Sequence, residues 1–274
     1  MTMTGASTHS TFTTSDRLPI SYTLHPSPRK YAPRIALVHS LALDRSVWDG
    51  VIERLQGDAE VLAYDCRGHG HSGRRAGDYS ADLFARDLAE LLDHVGWQQT
   101  AVAGCSMGGN VAQAFAGRYR QRTTALGLVD TTAWYGADAP AKFAERAEAA
   151  AKKGMRGLID FQLTRWFSDE FRAGHPDELA RLTALFVAND LDCYAASCGL
   201  LGNVDTRPYL PSFHMPVAIA VGEEDYATPV PMAEHLHQSI PQSTLTILPR
   251  ARHLTPIEYP DKIASELLAV LRRA

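Results

Sequence analysis

A serine in the segment Gly104-Cys105-Ser106-Met107-Gly108 has the sequence context of a catalytic nucleophile. An apolar run over 100–105 predicts a buried strand before it, and a helical pattern over 107–119 follows it. The pattern G-x-S-x-G at a strand-to-helix junction places a serine on a tight turn above the sheet, where larger flanking residues would collide with the neighbouring backbone. Ser106 is therefore the candidate nucleophile, and an incidental serine in a glycine-rich turn is the alternative.

A serine hydroxyl needs a neighbouring base to take its proton, and histidine titrates in the suitable range. Of the eleven histidines, His253 lies between the predicted last strand, 245–248, and the predicted last helix, 262–272. A serine on this kind of turn is followed along the chain by an acid and then by the histidine. This order selects His253 over the paired His235 and His237 of one predicted helix.

The acid of such a triad would follow a late strand, and Asp225 is the best-placed carboxylate after the predicted strand 216–221. It would hold the imidazole tautomer and stabilise the imidazolium without taking the proton. Glu223 and Glu224 in the same loop, and Asp130 at the end of another strand, are alternative acids. Asp225 could instead cap the following helix.

Two backbone N–H groups must hold the oxygen of a tetrahedral intermediate. One is predicted to be that of Met107, the residue after the nucleophile. The other is assigned to Leu41, in the loop His39-Ser40-Leu41-Ala42 that follows the first buried parallel strand.

The elements that would position these residues alternate between strand and helix, which predicts an α/β fold with a mostly parallel sheet covered on both faces. A turn signal at Ser15-Asp16 predicts an antiparallel hairpin within 11–24 at the sheet edge. No convincing strand falls between 131 and 206, a segment rich in helix formers. We expect a core domain of residues 1–130 and 207–274 and a helical cap of residues 131–206. The further predicted strands are 34–39, 60–65 and 124–130, and the further predicted helices are 80–95 and 230–238.

Composition excludes several other classes of protein. The chain has 274 residues, 45% of them hydrophobic, and a formal net charge of −4, so we expect no nucleic-acid partner. No apolar stretch is long enough to cross a membrane, and residues 1–15 do not have the pattern of a signal peptide. The four cysteines are not spaced as metal ligands and are expected to be reduced, in a cytoplasmic protein without metal or organic cofactor. The sequence does not predict the oligomeric state.

The quoted residues resemble the α/β-hydrolases over nearly the whole chain, with an eight-stranded sheet implied. Besides the triad segments, the resemblance includes Tyr64-Asp65-Cys66-Arg67-Gly68-His69-Gly70-His71-Ser72. The chain is most similar to the 3-oxoadipate enol-lactonases, which have an Asn-Ser-Leu-Gly oxyanion loop and, in the cap, elements matched by Arg165-Trp166-Phe167 and by Tyr194 to Cys198. The resemblance implies a substrate pocket near Ser40, Trp134, Arg165, Trp166 and Leu254.

Two departures from that subgroup bear on the substrate. His39 stands where the subgroup usually has asparagine, and Trp134 stands where it tends to place a basic residue. Arg165 could supply the missing charge to a substrate carboxylate, because an anion is costly to bury without a partner. The Arg165-Trp166-Phe167 element could equally serve only to pack the cap on the core.

The sequence therefore predicts a hydrolase of a carboxylic ester or lactone, acting through an acyl-enzyme on Ser106 and most similar to an enol-lactonase. A general carboxylesterase, a perhydrolase and a C–C bond hydrolase would use the same triad. Dehalogenase chemistry is disfavoured because it needs a carboxylate at position 106. A small-molecule receptor on the same fold is the alternative that is not an enzyme.

Overall fold

A computed structural model describes residues 8–274 of the chain. The prediction that residues 1–15 form no signal peptide falls partly outside this range. The described residues contain one sheet of eight strands. In chain order the strands are β1 Thr8–Thr13, β2 Pro19–His25, β3 Arg34–Val38, β4 Glu60–Tyr64, β5 Thr100–Cys105, β6 Thr123–Val129, β7 Val217–Gly222 and β8 Ser243–Leu248.

The strand order across the sheet is β1-β2-β4-β3-β5-β6-β7-β8. Strands β3 to β8 run parallel, and β2 pairs antiparallel with both β1 and β4. The mostly parallel eight-stranded sheet is confirmed, and so is the hairpin at its edge. Strands β3, β5 and β6 are almost wholly buried, as expected for a parallel sheet covered on both faces.

Helices cover the sheet and bury their apolar faces against it. In the helix over Ala81–His94, Ser80 acts as N-cap by accepting a hydrogen bond of 3.1 Å from the Leu83 N–H. The helices outside the segment 131–206 are α1 Asp49–Leu55, α2 Ala81–His94, α3 Met107–Arg118, α9 Val230–Ser239, α10 Thr255–Glu258 and α11 Pro260–Leu271. The sequence did not predict α1, whose seven residues are too few to show a clear helical period.

The segment between β6 and β7 is helical. It contains α4 Ala139–Lys153, α5 Ile159–Trp166, α6 Asp169–Gly174, α7 Pro176–Val187 and α8 Leu191–Asn203. Its extended pairing is limited to one isolated bridge between Trp134 and Asp205. The helices agree with a cap inserted after β6, although the domain boundaries at 130/131 and 206/207 stay a prediction. Within residues 8–274 no helix is both long and apolar enough to cross a membrane.

Candidate active site

The turn between β5 and α3 holds Ser106 in a conformation that L-residues rarely adopt, with φ of +54° and ψ of −117°. A Cβ atom at Gly104 would lie 2.0 Å from the carbonyl oxygen of Gly108, and one at Gly108 would lie 2.1 Å from that of Val38. The glycines are required because backbone from the helix and from β3 approaches the turn this closely. This packing holds the strained serine above the end of the sheet.

The structure brings Ser106, His253 and Asp225 together from three separate loops. His253 Nε2 lies 2.9 Å from Ser106 Oγ, and His253 Nδ1 lies 2.8 Å from Asp225 Oδ2. All three side chains are buried. An ionised carboxylate can only accept a hydrogen bond, so Nδ1 carries the proton and Nε2 is free to accept the proton of the serine.

Asp225 is fixed by more than the histidine. Its Oδ1 accepts from the N–H groups of Ala227 and Thr228, at 2.7 and 3.0 Å, and its Oδ2 accepts from Thr228 Oγ1 at 2.9 Å. Burial alone would raise the pKa of Asp225, but the charge and hydrogen bond of His253 and the bonds from Thr228 lower it below its usual value. The carboxylate therefore stays ionised, and its bonds to the loop before α9 serve a local structural role as well.

The alternative acids lie elsewhere. Asp130 Oδ2 accepts from the N–H and the hydroxyl of Thr255, at 2.9 and 2.7 Å, and Asp130 has no hydrogen bond to His253. Burial and the charge of Asp225 raise the pKa of Asp130 well above its usual value. Glu223 and Glu224 are exposed, the first accepting from Arg250 N–H. The pKa values of the two buried carboxyl groups are thus shifted in opposite directions, that of Asp130 upward and that of Asp225 downward, so Asp225 is the one that stays charged.

The loop that carries His253 is bound to the end of α5. The N–H groups of His253 and Leu254 both donate to the carbonyl oxygen of Trp166, each at 3.1 Å. Arg252 donates to the carbonyl oxygens of Thr164 and Phe167, at 2.8 and 3.0 Å. The Arg165-Trp166-Phe167 element therefore supports the histidine loop through its backbone.

The two amides predicted to form the oxyanion hole lie on the loop after β3 and at the first turn of α3. Within residues 8–274, neither the Leu41 nor the Met107 N–H has a backbone acceptor. Leu41 lines the same pocket as Ser106 and His253. Both N–H groups thus lack a backbone partner, as the predicted role requires, and the N-terminus of α3 adds its positive dipole end beside the serine.

A small pocket of about 20 Å³ opens on Ser106. Of the residues predicted to line it, Ser40, Arg165 and Trp166 do so. The other lining residues are Leu41, Tyr135, Phe143, Arg146, Gln162, Leu201, Thr228 and His253. This free volume holds about one water molecule. A substrate must therefore displace side chains of the helical segment.

Two predicted pocket residues are not brought to the pocket. Trp134 is exposed, and the Arg207 guanidinium lies 3.8 Å from its ring centroid. Trp134 pairs in extended conformation with Asp205, and the neighbouring Tyr135 points into the pocket instead. Leu254 is wholly buried in the apolar core. For Tyr135, alternation along an extended chain was the signal in the sequence: if Trp134 faces out, its neighbour faces in.

Two arginines give the pocket a positive charge. Arg146 of α4 donates to Tyr194 Oη at 2.8 Å and to Gln162 Oε1 at 3.3 Å, both neutral acceptors. The Arg165 side chain has neither a hydrogen bond nor an ion pair within the described residues. Burial and the neighbouring charge of Arg146 lower the pKa of Arg165 to about 10. A pair of half-buried cations without a carboxylate is suited to an anionic ligand. The sequence did not point to Arg146, because a single arginine among the charged residues of α4 resembles any solvent-facing position.

The described residues contain no cluster of three or more histidine, cysteine, aspartate or glutamate side chains suited to a metal ion. The four cysteines are free thiols, all buried. Burial raises the pKa of Cys105, which adjoins the serine, well above its usual value. A thiol so buried is a poor nucleophile, which leaves Ser106 as the candidate.

A family model described as the alpha/beta hydrolase fold matches residues 33–260, and the chain belongs to this family. It is similar to 3-oxoadipate enol-lactonase 2 of Acinetobacter baylyi, with 31% identity over 88% of this chain and 89% of the relative. It is also similar to a pimeloyl-[acyl-carrier protein] methyl ester esterase of Aliivibrio salmonicida, with 25% identity over 85% and 90%. The solved enol-lactonase from Burkholderia xenovorans has a TM-score of 0.88 and 30% identity, covering 93% of this chain and 97% of that one. The protein is a carboxylic ester or lactone hydrolase that is similar to enol-lactonases.

Proposed function

We propose that the protein hydrolyses its ester or lactone through an acyl-enzyme on Ser106, with His253 as general base and Asp225 as its partner. The observation that carries this proposal is the pair of contacts made by the imidazole, 2.9 Å to the serine hydroxyl and 2.8 Å to the carboxylate. Nucleophile, base and orienting acid are thus connected in the protonation states that nucleophilic catalysis requires.

In the first half of the reaction, Ser106 Oγ bonds to the substrate carbonyl carbon while its proton moves to His253 Nε2. The carbonyl oxygen becomes an oxyanion held by the Leu41 and Met107 N–H groups. Collapse of this intermediate breaks the bond to the leaving oxygen, which takes the proton from His253. In a lactone the leaving oxygen stays tethered to the acyl group, so acylation of Ser106 and ring opening are one event.

In the second half, water attacks the acyl-enzyme and gives a proton to His253. The second oxyanion collapses, releases the carboxylic acid and returns the proton to Ser106. Asp225 stays ionised throughout and stabilises the imidazolium formed in each half. No step in this sequence requires a metal or an organic cofactor.

For the substrate, we propose a small lactone with a free carboxylate, of the 3-oxoadipate enol-lactone kind. The enol-lactonase relatives support this choice, and so does the pair Arg146 and Arg165 in the pocket wall. The cation that the sequence lacks at Trp134 would then be supplied from α4, by Arg146. A carboxylate between these guanidinium groups would gain charge-assisted hydrogen bonds and neutralise a costly buried charge.

A simple carboxylesterase is the second candidate. The similarity to methyl ester esterases supports it, and the same triad would perform it. The two candidates differ in whether the arginine pair recognises part of the substrate, so a comparison of charged and uncharged substrates separates them.

The proposal is tested with purified Ser106→Ala, assayed spectrophotometrically on 3-oxoadipate enol-lactone and on short p-nitrophenyl esters. We expect multiple turnovers by the wild type and a loss of at least about 10³-fold in the variant on every substrate. Unchanged activity of the variant would contradict the acyl-enzyme mechanism. Cleavage of the esters alone would favour the carboxylesterase, and a single slow turnover would favour a receptor. The cytoplasmic location and the lack of a nucleic-acid partner stay predictions.

A further inference from the structure

We propose that His39 is a positioning residue of the oxyanion hole, which sets the direction of the Leu41 N–H through the peptide bond that joins Ser40 to Leu41. His39 directly follows β3, and its side chain is completely buried beneath the loop. The inference rests on the proposed function, because the direction of this amide matters to the reaction only if an oxyanion forms beside it.

Two hydrogen bonds determine which ring nitrogen of His39 carries the proton. The Cys66 N–H, in the loop after β4, lies 2.8 Å from His39 Nε2. A backbone N–H can only donate, so Nε2 is the acceptor and the proton of the neutral ring sits on Nδ1. His39 Nδ1 lies 2.7 Å from the carbonyl oxygen of Ser40 and donates to it.

The Ser40 carbonyl and the Leu41 N–H belong to one planar peptide unit. The described residues contain no cis peptide bond, so the C=O and N–H of this unit point in opposite directions. Because the ring holds the carbonyl oxygen on the buried side of the loop, the N–H faces the other side. Ser40 and Leu41 line the pocket together with Ser106 on that side.

The other hydrogen bonds to the loop do not fix the direction of the Ser40–Leu41 peptide as closely as the bond from His39 does. The Ser40 oxygen also accepts from the Leu43 N–H, but at the longer distance of 3.4 Å. Asn189 Nδ2 donates to the next carbonyl but one, that of Ala42, at 2.8 Å. This bond fixes the far end of the turn, whereas rotation of the Ser40–Leu41 peptide about its flanking bonds is opposed mainly by His39.

The His39 ring is itself held in place by a second buried histidine. The His69 ring packs edge-on against it, with the centroids 5.2 Å apart and the planes at 61°. His69 Nδ1 donates to the Arg67 carbonyl oxygen at 2.9 Å, since a carbonyl can only accept. The contact with His69 therefore adds to the two hydrogen bonds that hold the His39 ring in its orientation.

Two substitutions separate the two bonds. An asparagine amide can place its N–H₂ near the position of Nδ1 and keep the donor to Ser40, as in His39→Asn. A glutamine amide reaches the position of Nε2, so His39→Gln keeps an acceptor for Cys66 and loses the donor to Ser40. If His39 acts through the peptide, His39→Asn retains kcat within about 3-fold and His39→Gln loses about 10- to 100-fold, less than the loss of a whole oxyanion donor.

The measurements are kcat and KM for p-nitrophenyl acetate and the Ki of methylboronic acid, which adds to the serine as a tetrahedral adduct. For His39→Gln we expect KM within about 3-fold of wild type, and a Ki that rises in proportion to the loss in kcat. A purely structural role would lower the stability and the binding of both ligands together. His214→Gln, at an exposed histidine away from the loop, is the matched control.

Equal kcat values for the two variants, or a Ki that does not follow kcat, would overturn the proposal. If His39→Gln does not fold, ¹⁵N NMR of the wild-type histidines decides the matter, because a proton on Nε2 of His39 contradicts the inferred bonds. The parallel Ser106→Ala assay keeps this test separate from the proposed function. Unchanged hydrolysis in that variant would refute the acyl-enzyme, whereas an inactive Ser106→Ala with identical His39 variants would refute only the role of His39.

Discussion

Replacing Asp225 by asparagine changes one oxygen to an N–H₂ group and leaves the shape of the side chain unchanged. The bonds from the Ala227 and Thr228 N–H groups to Oδ1 fix which end of the amide remains oxygen. The new N–H₂ then faces Nδ1 of His253, the atom that Oδ2 contacts in the wild type. A donor there requires Nδ1 to be unprotonated, so the ring proton moves to Nε2.

The magnitude follows from the tautomer. With its proton on Nε2, the His253 ring points a donor at Ser106 Oγ and cannot accept the hydroxyl proton across the 2.9 Å contact. Only the minor fraction of molecules with the other tautomer stays active. We expect Asp225→Asn to lower kcat by about 10³- to 10⁴-fold, or about 4–5.5 kcal/mol at 1.36 kcal/mol per tenfold. The KM for p-nitrophenyl acetate should change by less than about 5-fold, because Asp225 does not line the pocket.

Asp130→Asn is the matched control, since it makes the same chemical change at the other buried carboxyl of the site. Its carboxyl bonds to Thr255 and Gly222 rather than to the imidazole, so we expect a loss below about 10-fold. Steady-state rates with p-nitrophenyl acetate, with thermal unfolding to verify the fold, measure both. An Asp225→Asn enzyme within about 10-fold of wild type, or a larger loss in Asp130→Asn, would refute the assignment of the acid.

Two further predictions concern the pocket and the buried histidine behind it. Arg165→Met should raise the KM for a carboxylate-bearing lactone by about 10- to 100-fold and leave the KM for p-nitrophenyl acetate unaffected. The exposed Arg156→Met should change neither value. Equal losses on both substrates would contradict an anion site. Burial lowers the pKa of His69 from 6.5 to about 3 in the folded protein, and protonation of the neighbouring His39 would lower it too. The unfolded chain therefore binds more protons, and stability falls as the pH falls below about 6.5. Between pH 7 and pH 5 the free energy of unfolding of the wild type, measured by urea unfolding, should therefore fall by about 2 kcal/mol more than that of His69→Gln. The exposed His71→Gln is the control. An identical fall in the wild type and in His69→Gln would show that His69 is not the group responsible.

The contact among Ser106, His253 and Asp225 could be predicted from the sequence because each of them lies beside a strand with a strong local signal. The apolar runs before Ser106 and Asp225 correspond to β5 and β7, and the run before His253 to β8. Parallel strands end at one edge of the sheet, so the order of the motifs along the chain was enough to bring the loops together. The choice among Asp225, Glu223, Glu224 and Asp130 has a weaker basis in the sequence, because it depends on side-chain directions within a loop.

The pocket could not be predicted to the same degree. Its wall comes from several helices of the segment between β6 and β7, and the packing of helices depends on contacts between residues far apart in sequence. Arg146 was missed for this reason. Tyr135 was missed because the short extended segment before α4 was not recognised, and the resemblance put Trp134 in the pocket by analogy with a basic residue of relatives. The tautomer of His39 was likewise beyond sequence reasoning, since Cys66 lies on another loop.

The carbonyl oxygen of Trp166 has a consequence for protein engineering. This oxygen accepts from the N–H groups of both His253 and Leu254, so it connects the helical segment to the loop of the proposed base. We expect that an exchange of this segment between relatives would alter the His253 loop as well as the specificity. Chimeras that keep residues 164–168 from the parent chain would preserve that connection while the remaining helices are replaced. If the helical segment moves to admit substrate, residues near Trp166 must stay in place or the hydrogen bonds to the His253 loop break. In the second case we expect no catalysis while the segment is open.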